Sequence, residues 1–144
     1  MMTMRTALLF CVLAVVACSD PTELQPSFTV ELPASVTAGP REPRGISCVF
    51  PVTLRAEGAQ AEVTSGLWVA AFFIPGVGRQ GFEAALTRDD VARIYGANPV
   101  LPGQPRSYGT QLGGESVDSI RFTVLIEYAQ AGRTGTVTAT SKCQ

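Results

Sequence analysis

Ile46-Ser47-Cys48-Val49-Phe50-Pro51-Val52-Thr53-Leu54-Arg55-Ala56-Glu57 alternates with a period of two. Ile46, Cys48, Phe50, Val52, Leu54 and Ala56 fall on one face; Ser47, Val49, Pro51, Thr53, Arg55 and Glu57 fall on the other. A pleated strand sends successive side chains to opposite faces, so the pattern predicts a half-buried strand with a solvent side. Pro51 has no backbone donor to give to a ladder, which predicts an edge position or a bulge.

The same period continues on both sides. Phe28, Val30 and Leu32 alternate with Thr29 and Glu31. Toward the C-terminus Ile120, Phe122, Val124, Ile126 and Tyr128 share a face, and Val137, Ala139, Ser141 and Cys143 share another. A turn at Ala131-Gly132-Arg133 joins these two segments into a predicted β-hairpin. Leu67 to Ile74 is apolar on both faces, as expected of a central strand covered on each side. One short helix is expected near residues 87–95: Thr87 can cap it, Asp89 and Asp90 suit its first turn, and Gly96 can end it. Residues 97–118 hold prolines 99, 102 and 105 and glycines 103, 109, 113 and 114, which predicts a long mobile surface loop. Many strands, short turns and sparse helix predict an all-β protein, a single antiparallel β-sandwich over residues 28–144.

The chain opens differently. Arg5 precedes Ala7 to Ala17, an apolar run too short for a transmembrane helix but suited to the core of a secretory signal. The junction Val15-Val16-Ala17-Cys18 resembles the lipobox of bacterial lipoproteins. That resemblance implies a signal peptide over 1–17, removed in the mature chain, and a lipid on the thiol of Cys18. It implies an address in the bacterial cell envelope. Ser19 after the cysteine resembles the outer-membrane pattern of some such lipoproteins. Residues 18–27, polar with two prolines, then form a lipidated tether before the domain.

Composition agrees with a lipid as the means of attachment. Loss of Arg5 with the signal leaves ten basic residues against twelve acidic ones, with Lys142 the single lysine. No basic stripe is present to bind nucleic acid or anionic headgroups. With Cys11 discarded and Cys18 acylated, Cys48 and Cys143 remain. An even pair in an exported chain most often forms a disulfide; two unrelated free thiols are the alternative. The chain contains no histidine, so a thiolate pair lacks further ligands and neither a metal site nor a cofactor is expected.

Leu32-Pro33-Ala34-Ser35-Val36-Thr37-Ala38-Gly39, followed by the 46–57 strand, resembles the opening of bacterial immunoglobulin-like domains. Gly135-Thr136-Val137-Thr138-Ala139-Thr140 resembles their last strand. The resemblance implies two facing layers in which Cys48 and Cys143 lie at the same pole on inward faces. It also implies that Trp68 packs in the core against a disulfide. The second cysteine departs from the family by lying in the last strand, and the 87–95 helix is an insertion.

Chemical motifs are weak. Gly76-Val77-Gly78-Arg79-Gln80-Gly81 matches a dinucleotide fingerprint, but no repeated βα units follow, and a glycine-rich hairpin explains it. Gly114-Glu115-Ser116-Val117-Asp118 lacks the last glycine of a nucleophile elbow and any histidine base. Asp89 with Asp90, and Glu115 with Asp118, are the remaining carboxylate pairs. The expectation is a non-catalytic binding or structural interaction module, contacting an envelope protein or a glycan through the 97–118 and 76–81 segments. Arg106 and Tyr108 are the candidate ligand contacts. The rival reading is a carrier of a small apolar ligand, and catalysis ranks third.

Overall fold

The computed structural model describes residues 25–41 and 44–144. The expected signal segment 1–17, Cys18 and the first part of the tether lie outside the described residues. In chain order the elements are β1 Ser27–Glu31, β2 Ser35–Val36, β3 Gly39–Pro40, β4 Gly45–Glu57, β5 Ala61–Ile74, β6 Gly78–Thr87, α1 Arg88–Tyr95, β7 Arg106–Glu115, β8 Ser119–Gln130 and β9 Arg133–Cys143. Among the described residues the protein is all-β with one helix.

The strands form two sheets. In the first, β4 is the spine: β1 and β3 pair along one edge and β7 along the other, all antiparallel. The second runs β2-β9-β8-β5-β6. The pairing of β2 with β9 is parallel, so the arrangement is mixed rather than purely antiparallel. The N-terminal segment causes this. It leaves the first sheet after β1, crosses to the second for Ser35 and Val36, and returns as β3.

The two sheets share one core. Cys48, Phe50, Val52 and Leu54 of β4 are fully buried and face Ile120, Phe122, Val124 and Ile126 of β8. The rings of Phe50 and Phe122 lie 5.1 Å apart across the interface. Each such side chain contributes roughly 1.5–3 kcal/mol through burial. A Cys48–Cys143 disulfide joins β4 to β9, and so one sheet to the other, with the Cα atoms 6.4 Å apart. At the opposite pole the Gln130 side-chain amide lies 3.0, 3.1 and 2.8 Å from the carbonyls of Ser27, Glu57 and Ala59. That contact fixes where the chain enters the fold.

The predicted face of residues 46–57 is the buried one. Pro51 sits in the spine strand, yet locally at an edge: β3 reaches only Ser47 and β1 begins only at Thr53, so residues 48–52 have a partner on the β7 side alone. The 76–81 motif is a hairpin, with Val77 N–H donating to Ile74 C=O at 3.1 Å. The 131–132 turn has both central residues at positive φ, Ala131 at 50° and Gly132 at 74°, the backbone of a type I′ turn. Helix α1 has the expected caps: Thr87 Oγ1 accepts from Asp90 N–H at 3.2 Å, and Asp90 returns a carboxylate oxygen to Thr87 N–H at 2.9 Å. Gly96, at φ 77°, closes it.

Two expectations need correction. Residues 97–118 are not one mobile loop, because β7 pairs with β4 along ten positions from Leu54↔Arg106 to Gly45↔Glu115. Gly113 lets the strands approach closely, since a Cβ there would lie 2.6 Å from Ile46 O. The rest of the segment is also tied down. Val100 is fully buried and exchanges both backbone hydrogen bonds with Ala61, at 3.0 and 2.8 Å, and Asn98 caps both polar groups of Val63, at 3.0 and 2.9 Å. Long-range pairing overrides a composition rich in glycine and proline. Secondly, β5 is central but covered on one face only. Phe72 packs toward the core while Phe73 is 48% exposed on the outer face.

Candidate binding site

The second sheet is wider than the first, so β6 overhangs. Phe82 pairs with the buried Ala70 and thus lies on the inner side of β6, yet it is 49% exposed. Across the gap, β7 is the edge of the first sheet. Its residues Arg106, Tyr108, Thr110 and Leu112 pair with the inward-facing Leu54, Val52, Phe50 and Cys48. Between the two edges the flank is partly closed by α1, which turns Val91 and Tyr95 into the core.

An aromatic chain crosses this flank. Trp68, on the inner face of β5, meets Phe122 edge-on at 6.2 Å and stacks on Tyr108 at 6.4 Å with 10° between planes. Tyr95 contacts the same Tyr108 ring at 6.1 Å and 71°. Tyr108 remains 43% exposed, so the chain leads from the core to solvent. Trp68 therefore does not pack as the immunoglobulin resemblance implies. Its row across the sheet is Ala84–Trp68–Val124–Ala139, whereas Cys143 pairs with Ile120, four residues further along the strands. That offset is about 13 Å.

The polar atoms of the flank are short of partners. Trp68 Nε1, Tyr95 Oη, Arg106 Nε and Thr110 Oγ1 are buried without a hydrogen bond among the described residues. An unpaired buried donor costs about 1–3 kcal/mol, so four on adjoining side chains need an explanation. Burial pushes the Tyr95 hydroxyl up to about 12, and the nearby Trp68 indole offsets only part of that rise without forming a hydrogen bond of good geometry. The hydroxyl thus stays protonated and able to donate. The exposed rings of Tyr108 and Phe82 can stack a flat face, and the guanidinium of Arg106, on the same strand face as Tyr108, can donate hydrogen bonds. The Trp68 indole N–H and the Tyr95 hydroxyl lie buried behind them.

Sequence reasoning named Arg106 and Tyr108 as ligand contacts and placed Trp68 in the core, and the fold brings the three together. It missed Tyr95, read only as part of a helix face, and Thr110. The spacing Arg106, Tyr108, Thr110, Leu112 fits period two on one strand face, but Gly109, Gly113 and Gly114 mask that period, so it was not a usable signal. The other candidates stand apart. Asp90 is consumed by the helix cap, and Glu115 and Asp118 are exposed at the far end of β7. Among the described residues no group of three or more His, Cys, Asp or Glu could hold a metal ion, and no helix is long and apolar enough to cross a membrane. The chain matches no protein-family model, no curated protein and no solved structure.

Proposed function

We propose that the chain is an envelope lipoprotein, acylated at Cys18, that displays an immunoglobulin-like β-sandwich as a non-catalytic binding module. The sandwich reading is supported by a three-rank sheet facing β2-β9-β8-β5-β6, by the N-terminal segment that changes sheets, and by a disulfide between the layers. The observation that carries the binding role is the aromatic flank, where Tyr108 and Phe82 are open to solvent near four buried polar atoms that have no hydrogen bond among the described residues. A glycan fits that chemistry: its ring faces stack on aromatic side chains and its hydroxyls accept from N–H and O–H donors. The contact of Phe50 with Phe122 at the centre favours a filled core over a cup for an apolar ligand.

Trp68 is the only tryptophan, so its emission reports on this flank alone. A panel of soluble oligosaccharides titrated into the protein should give a saturable change in that emission. Tyr108→Ala and Arg106→Gln should weaken it by tenfold or more, with melting temperatures held as a control. Unaltered binding in both variants removes the flank from the reading. Metabolic labelling with palmitate tests the anchor separately, and label that persists in Cys18→Ala refutes it.

A further inference from the structure

The outer face of the five-stranded sheet carries a second group of side chains, distinct from the aromatic flank. Register places Phe73 between Arg79 and Ser119, and Ala71 beside Arg121, which pairs directly with Lys142. These residues point away from the core, because the buried Ile120, Phe122, Ser141 and Cys143 alternate with them. A recess of about 210 Å³ opens here, with Phe73, Arg79, Ser119, Arg121, Lys142 and Gln144 in its lining and no Asp or Glu side chain.

The recess gathers three cationic side chains. Arg55, Arg88 and Arg93 each pair with a carboxylate elsewhere on the domain. Among the described residues Arg79, Arg121 and Lys142 form no ion pair, as is true of Arg41, Arg44, Arg106 and Arg133 too, but only these three share one recess. Like charges directly opposite on neighbouring strands work against the sheet, so the Arg121–Lys142 pair is a cost that the fold carries. The whole chain has slightly more acidic than basic residues, so this is not a sample of a generally cationic surface. Positive charge gathered around a concavity concentrates anions. Arginine offers the planar fork that matches phosphate, and lysine a mobile point charge.

We propose that this recess is a binding site for a small phosphate-bearing ligand, held by Arg79, Arg121 and Lys142 with its ring or apolar portion against Phe73. Phe73 is 48% exposed and supplies the apolar wall. The site lies at the start of β8, while Gln130 at the end of that strand holds Ser27, where the chain enters the fold. The two ends are roughly 35–40 Å apart, so the recess lies at the opposite pole from Ser27.

Calorimetric titration of the protein with inorganic pyrophosphate tests this, with anionic phospholipid vesicles as a parallel arm to separate a free phosphate from a lipid headgroup. The expected result is saturable pyrophosphate binding that weakens about tenfold in Arg121→Gln and again in Lys142→Gln. Tyr108→Ala should leave it unchanged. Absence of binding at millimolar pyrophosphate overturns the proposal, as does binding by both charge variants as tight as that of the natural chain. Vesicle binding that pyrophosphate does not compete for assigns the cations to a membrane surface instead.

Discussion

Cutting the link between Cys48 and Cys143 is the sharpest perturbation this fold offers, because the two residues are 95 apart in sequence and both are fully buried. In the chain-entropy model, closing a loop of that length restricts the unfolded ensemble by about 4.7 kcal/mol. Small domains have a total stability of about 5–15 kcal/mol, so the bridge accounts for a large share of it. Unfolding entropy near 2.1 cal/mol/K per residue, over roughly 120 folded residues, gives about 0.25 kcal/mol per degree. The melting temperature should therefore fall by close to 20 °C. The double variant Cys48→Ala/Cys143→Ala removes two buried sulfurs as well, so the cleaner comparison is the natural chain oxidised and fully reduced. Reduction needs mild denaturant, since neither sulfur is reachable in the folded state. Circular dichroism melts of both forms, with thiol labelling to verify their redox state, make the measurement. A difference below about 5 °C, or two labelled thiols in the untreated native protein, would refute the argument.

Three further outcomes follow from individual sites. Burial raises Tyr95 from 10.0 to about 12, so its contribution is fully present below pH 10 and is lost as pH climbs toward 12. Two units correspond to about 2–3 kcal/mol, and Tyr95→Phe should flatten this alkaline loss in melts recorded from pH 8 to 12. Ala131 occupies the left-handed region at φ 50°, where Asn is better tolerated, so Ala131→Asn should stabilise by up to about 1 kcal/mol in urea unfolding. A loss of stability there would contradict the type I′ assignment. Gly113→Ala drives a Cβ to 2.6 Å from Ile46 O and 3.0 Å from Ser47 Cα, both backbone atoms. It should cost about 1–3 kcal/mol, read as a lower urea midpoint at unchanged slope, and a neutral result would mean that β7 pairs less closely with β4.

Much of the fold was legible locally. Alternation identified β1, β4, β8 and β9, and the core face of β4 follows from its six alternating apolar residues. Caps located α1 from Thr87 to Gly96, because capping depends on side chains within one turn of the helix end. The Cys48–Cys143 pair was reached by cysteine count and strand parity together. The candidate site was legible only in pieces. Arg106 and Tyr108 were named as contacts, but nothing local put them on a strand, since Gly109, Gly113 and Gly114 dilute the signal of β7. A strand of that composition exists because β4 offers it a complete ladder.

The sequence by itself determined the period of each strand, the position of the helix, the turns and the thiols available for a bridge. These properties depend on neighbours a few residues away, where sterics and hydrogen bonding are local. Only the tertiary structure decided which strands became spines and which became edges. It made Pro51 tolerable by leaving one side of residues 48–52 open, stacked Trp68 on Tyr108 far from the disulfide, and set Arg121 beside Lys142. Such placements arise from pairings between residues tens of positions apart, and burial in the shared core, rather than local preference, selects among them.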